Sequence, residues 1–322
     1  MSYSIQKLPG KAFLSFPEQY NDLLLECENR LKVNFLDSKR YGDVLYLPNI
    51  DSELEPYWAR LVFREPFFIT FDSIGDISKA LKSIARLWTP YFYCCFRRGS
   101  FVQEKLPYIS QKKRIFPCEI PSSPIGIYTL LDEHTALCSA KTSSFLPAGK
   151  IEFIEDHENP PSRAYLKLQE SLCLAHHFFS VDFPSDSTNC FEAGACPGGW
   201  TWVLCGLGSH VFAVDRSPLA QSLMENPLVT FLSHDAFTLK PSEIGKCDWV
   251  FSDVICYPER LLKWVKEWLK SGLTKNMICT IKMQGAVQWD IVSEFAKIPY
   301  SRVVHLNYNK HELTFIHCNP SS

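Results

Sequence analysis

The chain has no apolar run of the ~18 residues that a membrane-spanning helix needs, so no span is expected. Its start, MSYSIQKLPGKAF, lacks the basic-then-apolar layout of a secretory leader, and the expected location is the cytoplasm. No Cys-x-x-Cys pair occurs among the thirteen cysteines. Their number is odd, and Cys94 and Cys95 are adjacent, which is poor geometry for shared ligation. Free, mostly buried thiols are expected, and no metal site. There is no surplus of positive charge either, since the formal net charge is −2. The dinucleotide fingerprint Gly-x-Gly-x-x-Gly is missing, as are internal repeats and low-complexity tracts.

What is present is a chain of 322 residues, 46% of them hydrophobic, enough for the cores of two domains. Residues 1–150 carry 19 Lys and Arg against 16 Asp and Glu, and residues 151–322 carry 14 against 19. That imbalance makes the front half the better candidate for contact with phosphates.

The front half reads as a small α+β domain over residues 1–150. Helical spacing runs through YNDLLLECENRLKVN (20–34) and SIGDISKALKSIARLW (73–88). ARLVFREPFFITF (59–71) reads as strands around a turn. PYFYCCFRRG (90–99) reads as a strand, and residues 124–142 as a hairpin turning at Asp132-Glu133. The Pro-, Gly- and acid-rich stretch 145–162 reads as a linker.

The pattern in 151–322 is regular. RAYLKLQESLCLAHHFF (163–179) should be a helix with Ser162 as N-cap. TNCFEAGA, HVFAVD, VTFLSHD, CDWVFSDV and NMICTIKM read as strands with helices between them. RVVHLNY and LTFIHC close the series as a hairpin around NKHE. Alternation of this kind predicts an open α/β sheet, mainly parallel, with its last strand antiparallel.

In such sheets ligands lie beyond the carboxyl ends of the strands, at the switch point. The loop after the first strand, EAGACPGGW, sits there. Gly194, Gly198 and Gly199 allow close backbone approach, and the following helix offers free N–H groups. Asp215 ends the second strand, where an acid can receive two ribose hydroxyls. Asp235 ends the third, where a carboxylate can accept from an adenine amino group. An adenosine ligand with a charged tail fits this set. Cys196-Pro197 in the loop suits S-adenosylmethionine better than the pyrophosphate of NAD. A structural turn with no ligand stays open.

Asp253 closes the fourth strand and Lys282 the fifth, so both should reach one rim of the sheet. Lys167 lies on the preceding helix and Glu312 at the start of the last strand. A Lys-Asp-Lys-Glu set beside a methyl donor suits methylation of a ribose 2′-hydroxyl. A poor nucleophile must lose its proton, and a lysine accepts one only if it is neutral. Burial and the neighbouring cation Lys167 would lower the pKa of Lys282, the candidate base. Asp253 and Glu312 would orient the ammonium groups and limit that shift.

PSRAYLKLQES, EAGACPGGWT, AVDRSPLAQSLM, FSDV, IKMQG and NKHELTF together resemble the FtsJ/RrmJ-type ribose 2′-O-methyltransferases, in order from about 160 to 318. The resemblance is strongest to members acting on a cytidine of large-subunit (23S) rRNA. It implies a Rossmann-like domain using S-adenosylmethionine, with the tetrad Lys167, Asp253, Lys282 and Glu312 and Lys282 as proton acceptor. It implies cofactor contacts from Ser162, Gly194, Cys196, Pro197, Gly198, Gly199, Asp215, Asp235 and Asp253. It further implies a front RNA-binding module related to THUMP domains, with RNA or a pre-ribosomal particle as partner. Nothing in the sequence demands a dimer, and a monomer is expected. Two departures stand out. Glu192-Ala193 replaces the common Asp-Leu, and IKMQGAVQ lacks the proline and basic residues expected after the lysine.

Two other classes are compatible with parts of this pattern. One is a non-catalytic RNA-binding protein that keeps the fold, and the other a dinucleotide-dependent oxidoreductase. Arg97-Arg98 and QKKR (111–114), with Phe96, Phe101 and Tyr108 nearby, suit RNA backbone contact and base stacking, or a solvated surface.

Overall fold

A computed structural model describes residues 2–50 and 53–319. The chain divides into two compact units. One runs to Lys113 and takes in Ile120–Glu152; the other joins Arg114–Glu119 to the chain from Phe153 onward. Among the described residues no helix is long and apolar enough to cross a membrane.

The first unit is α+β. A five-stranded sheet has the order β1 (Tyr3–Lys7), β6 (Phe67–Phe71), β9 (Thr135–Ser139), β8 (Gly126–Leu130), β7 (Trp88–Pro90). A second sheet has β3 (Lys39–Tyr41), β4 (Val44–Leu47), β2 (Lys11–Leu14), β5 (Leu61–Phe63). The two strands of residues 59–71 therefore belong to different sheets. The 124–142 hairpin forms as expected, with Ile127 opposite Ser139. Helix α1 is Tyr20–Asn29 and α2 is Ile74–Ile84, the latter capped by a reciprocal Ser73–Asp76 box. The strand expected over 90–99 does not form. The chain leaves the sheet at Pro90, and α3 (Phe96–Glu104) follows. Gly99, Val102 and Leu106 are buried at helical spacing, so packing against α2 overrides the strand preference of YFYCCF.

The second unit is a Rossmann-like α/β domain. Its seven strands are β10 (Asn189–Ala193), β11 (His210–Asp215), β12 (Val229–Ser233), β13 (Trp249–Ser252), β14 (Asn276–Lys282), β15 (Ser301–Val304) and β16 (Glu312–Cys318). They lie in the order β12-β11-β10-β13-β14-β16-β15. The first five are parallel, and β16 runs antiparallel to both its neighbours. Helices α4 (Tyr165–Phe179), α5 (Gly199–Gly206), α6 (Gln221–Met224), α7 (Pro241–Ile244), α8 (Pro258–Ser271) and α9 (Trp289–Ala296) connect and cover them. Helix α8 buries Leu261, Leu262, Val265 and Trp268, one face at helical spacing, and Trp268 meets Phe191 of β10 at 5.4 Å. The segment Arg114–Glu119 joins this unit through a parallel bridge from Arg114 to Phe153 and an edge-on contact of Phe116 with Phe153.

Candidate active site

The order of the sheet creates its switch point between β10 and β13, and the loops that follow these strands meet there. Gly194 has φ +77°, and a Cβ on it would lie 2.4 Å from Val254 Cγ2, so glycine is required on both counts. The N–H groups of Gly194 and Ala195 both donate to the Val214 carbonyl, which turns the chain sharply back. Gly198 also lies in the left-handed region, at φ +109° as the N-cap of α5, and packs under Leu223.

A cavity of about 340 Å³ opens on this loop. Gly194, Cys196, Asp215, Asp235 and Asp253, each expected as a cofactor contact, are among the residues that line it. Asp215 braces the loop by accepting from the N–H of Cys196 and of Ser217, each at 3.0 Å. Asp235 is held by Arg216 at 2.5 Å, by Arg260 at 3.5 Å and by the Phe237 N–H. Burial works to raise its carboxyl pKa, but these donors and charges outweigh it and hold the group below its usual value. Any ligand amino group would share Asp235 with both arginines, which sequence reasoning missed. Arg216 directly follows the acid of β11, and Arg260 lies in the first turn of α8.

Pro197 and Gly198 shape the loop without lining the cavity; the Pro197 carbonyl accepts from the Ala220 N–H. Ser162 is not the N-cap of α4. That helix starts at Tyr165, after Ala164, without a side-chain cap. The turn over Arg163–Ala164 delays the helix and turns the serine toward the loop instead. The Ser162 hydroxyl is buried without a hydrogen-bond partner among the described residues, and a Cβ on Gly199 would come within 2.5 Å of it.

Glu192, on β10 two residues before Gly194, is buried and accepts from the Thr201 hydroxyl at 2.6 Å. Burial, with the nearby charges of Asp253 and Asp215, pushes its carboxyl up to about 8 despite the Thr201 bond.

The four expected chemistry-bearing residues come together in a closed square. Lys167 Nζ donates to Asp253 at 2.9 and 3.0 Å and to Glu312 Oε1 at 3.0 Å. Lys282 Nζ lies 2.6 Å from Asp253 Oδ1 and 2.8 Å from Glu312 Oε2. The backbone makes this arrangement. Lys282 and Glu312 are cross-strand partners in the β14–β16 ladder, Asp253 follows the end of the neighbouring β13, and α4 supplies Lys167.

The expected depression of the Lys282 pKa is not found. Burial lowers it, but the two carboxylates that touch it outweigh burial and leave it raised above its ordinary value. The cationic neighbour Lys167 spends its charge on the same two carboxylates. Asp253 is correspondingly held low: burial opposes ionisation, and both lysines overcome it.

A second cavity, of about 530 Å³, lies at the square. Lys167, Lys282 and Glu312 line it, together with Arg163 and Ala164 before α4 and Asn307, Tyr308 and Lys310 from the β15–β16 connection. None of these last five was singled out from the sequence. Asp253 lines the first cavity, so the square joins the two.

Residues 160–294 match the family model of the FtsJ-like methyltransferases. The second unit carries an FtsJ-like methyltransferase domain. Over 152 residues it is 36% identical to the ribosomal RNA large subunit methyltransferase M of Pseudomonas fluorescens strain Pf0-1, covering 46% of this chain and 41% of that protein. Over 170 residues it is 31% identical to the same-named protein of Alkalilimnicola ehrlichii, covering 50% and 47%. The match thus spans less than half the length of these curated relatives. The FtsJ-like domain accounts for the Rossmann-like sheet and for the glycine loop at its switch point.

Proposed function

We propose that the protein is an S-adenosylmethionine-dependent RNA ribose 2′-O-methyltransferase acting on large-subunit (23S) rRNA, most specifically on a cytidine. The observation that carries this reading is the Lys–Asp–Lys–Glu square, with an acid-lined cavity on one side and a cation-lined one on the other. The similarity to large subunit methyltransferase M supports the choice of RNA.

The lining of the first cavity supports S-adenosylmethionine as the cofactor. Ser162 has a hydroxyl to offer, Gly194 and Cys196 leave the backbone accessible, and Asp215, Asp235 and Asp253 suit a cationic adenosine derivative. When bound, this cofactor supplies a methyl group on a positively charged sulfur. Gly198, Gly199 and Pro197 hold the loop that carries those contacts.

The chain's own residues handle the proton. Lys282 has two of its three N–H positions committed to Asp253 and Glu312, which leaves one for a ribose hydroxyl. In the resting site it is an ammonium that orients this oxygen. To act as the base it must first lose its proton. Asp253, facing a cationic donor, gives up part of its hold on Lys282. Exclusion of water by docked RNA removes solvation that favours the ammonium. Lys167 is a positioning residue that keeps both carboxylates in place. Alignment and charge complementarity supply the remaining catalysis, and no metal is required by the reading.

The first unit, in this reading, is a THUMP-like RNA-binding module, and the protein works as a monomer in the cytoplasm. The test is transfer of tritium from labelled S-adenosylmethionine to unmodified large-subunit rRNA. The expected product is a 2′-O-methylated nucleotide whose 3′ phosphodiester resists alkali. A folded protein that binds no S-adenosylmethionine would sink the reading.

A further inference from the structure

Helix α4 carries a buried acid, Glu170, about one turn beyond Lys167. Glu170 is 4% exposed and lines neither cavity. Its two oxygens accept separately from consecutive backbone N–H groups, Oε1 from Asn307 at 3.0 Å and Oε2 from Tyr308 at 3.2 Å. Asn307 and Tyr308 belong to the connection between β15 and β16, and both line the second cavity. The same connection leads into Glu312 of the square.

A buried carboxylate needs a reason. Burial raises the Glu170 carboxyl to about 8, and the two backbone donors only partly offset it. Such a group costs stability unless what it holds has value. What it holds is the middle of a loop whose ends are already fixed. At one end the His305 ring meets the Lys310 carbonyl at 3.0 Å, and at the other the Asn309 side chain meets Thr314 at 3.0 Å. On the far side the Tyr308 hydroxyl accepts from the Phe153 N–H at 2.8 Å, and its ring stacks on Phe153 at 6.0 Å. Without Glu170, two N–H groups would lose their acceptors next to a cavity, and the loop would rearrange to find others.

We infer that Glu170 is a positioning residue for the RNA substrate: by clamping the Asn307 and Tyr308 amides it fixes the wall of the cavity into which the target nucleotide enters. The inference rests on the function proposed above. It concerns the RNA side of the square alone, because Glu170 acts through a loop that lines only the second cavity.

The experiment compares wild type, Glu170→Gln and Glu170→Ala in three measurements. Hydrogen exchange follows the Asn307 and Tyr308 amides. Titration gives the affinity for S-adenosylmethionine. Steady-state transfer to unmodified large-subunit rRNA separates KM for RNA from kcat. In Glu170→Ala both amides should exchange faster, and KM for RNA should rise about tenfold. S-adenosylmethionine affinity should stay within about twofold, since no contact on its side is touched. Glu170→Gln keeps the shape but only one of the two acceptors, so one amide should exchange faster and KM for RNA should rise by an intermediate factor, about threefold. That intermediate rise carries the test if the alanine variant does not fold, and its absence despite faster exchange would overturn the inference. An unchanged KM for RNA with faster amide exchange would overturn the inference. So would parallel loss of S-adenosylmethionine binding in both variants, which would make Glu170 a general structural residue. An inactive wild type would sink the proposed function, and the RNA half of this inference with it; amide exchange would still decide whether the clamp exists.

Discussion

The two cavities that meet at the Lys167–Asp253–Lys282–Glu312 square differ in both charge and construction. The first is lined by three carboxylates, Asp215, Asp235 and Asp253, against two arginines. The second is lined by four cations, Arg163, Lys167, Lys282 and Lys310, against Glu312 alone. The first is built from the ends of parallel strands, and the second from the approach to α4 and one hairpin connection. A cationic small molecule in the first and a polyanion in the second would thus each face complementary charge. The square is neutral when fully ionised, and so separates the two fields without favouring either.

The largest effect should come from the square itself. Lys282→Ala should lower methyl transfer by about a thousandfold and leave S-adenosylmethionine affinity nearly unchanged, because the lysine lines only the second cavity. Single-turnover transfer beside calorimetric binding checks both. The pH dependence follows from the same residue. Lys282 is raised in the resting site, so its neutral form grows as pH rises, and the rate should climb about tenfold per pH unit through the neutral range. A rate that is flat from pH 6 to 9 would mean that the ammonium, not the amine, does the work (~10-fold per unit being the signature of the amine).

On the acidic side alone, Gly194→Ala places a side chain in the left-handed region and against Val254. The strain is about 1–3 kcal/mol, and S-adenosylmethionine affinity should fall about tenfold. RNA binding, measured without cofactor, should not change. Loss of both together would mean that the cavities are not independent.

This difference in construction also explains what could be read from the sequence. Positions at strand ends follow from topology, so Asp215, Asp235, Asp253 and Lys282 could be assigned from alternation of strands and helices alone. Glu312 could be placed only at the start of the last strand; the pairing of β16 with β14 is what sets it opposite Lys282. The second cavity has no such rule. Arg163, Asn307, Tyr308 and Lys310 reach their cavity through a turn and a loop, and neither has a repeating period. Charge balance pointed to the front half for phosphate contact, yet the cation-lined cavity lies in the half with the acidic surplus. Summed charge hides local separation. Ser162 was expected to cap α4, but the helix begins at Tyr165, after Ala164, and carries no side-chain cap. In the first unit, α3 was missed because its burial depends on a neighbouring helix rather than on its own composition.

Glu192 sharpens the comparison from beneath the acidic cavity. Its carboxyl is raised from 4.5 to about 8, mainly by burial and secondarily by Asp253 and Asp215. A raised acid contributes stability that is fully present below its unfolded pKa and lost as pH rises through the folded one. Glu192→Gln cannot ionise. Relative to wild type it should gain stability between about pH 5 and pH 8, with Tm rising by a few degrees, roughly 2–5 °C, at the upper end. Calorimetry at both pH values tests this. An equal difference at the two would mean that Glu192 stays ionised, and that the cavity is more acidic than its wall suggests.

The smallest effect should come from the rim of the other side. Lys310 is exposed, lines the second cavity and lies on the loop that Glu170 clamps. A lysine there would meet a phosphate as a point charge, without fixing any base. Lys310→Ala should therefore raise KM for RNA by only about threefold to tenfold and make the dependence of log affinity on log salt shallower by about one. S-adenosylmethionine affinity and kcat should stay as in wild type, the reverse of the Gly194→Ala pattern. The salt slope is the deciding reading. If affinity falls and the slope does not, the lysine supports the loop and the positive field comes from Arg163 and the square. If neither changes, RNA enters elsewhere, and the charge contrast between the cavities serves only to balance the square.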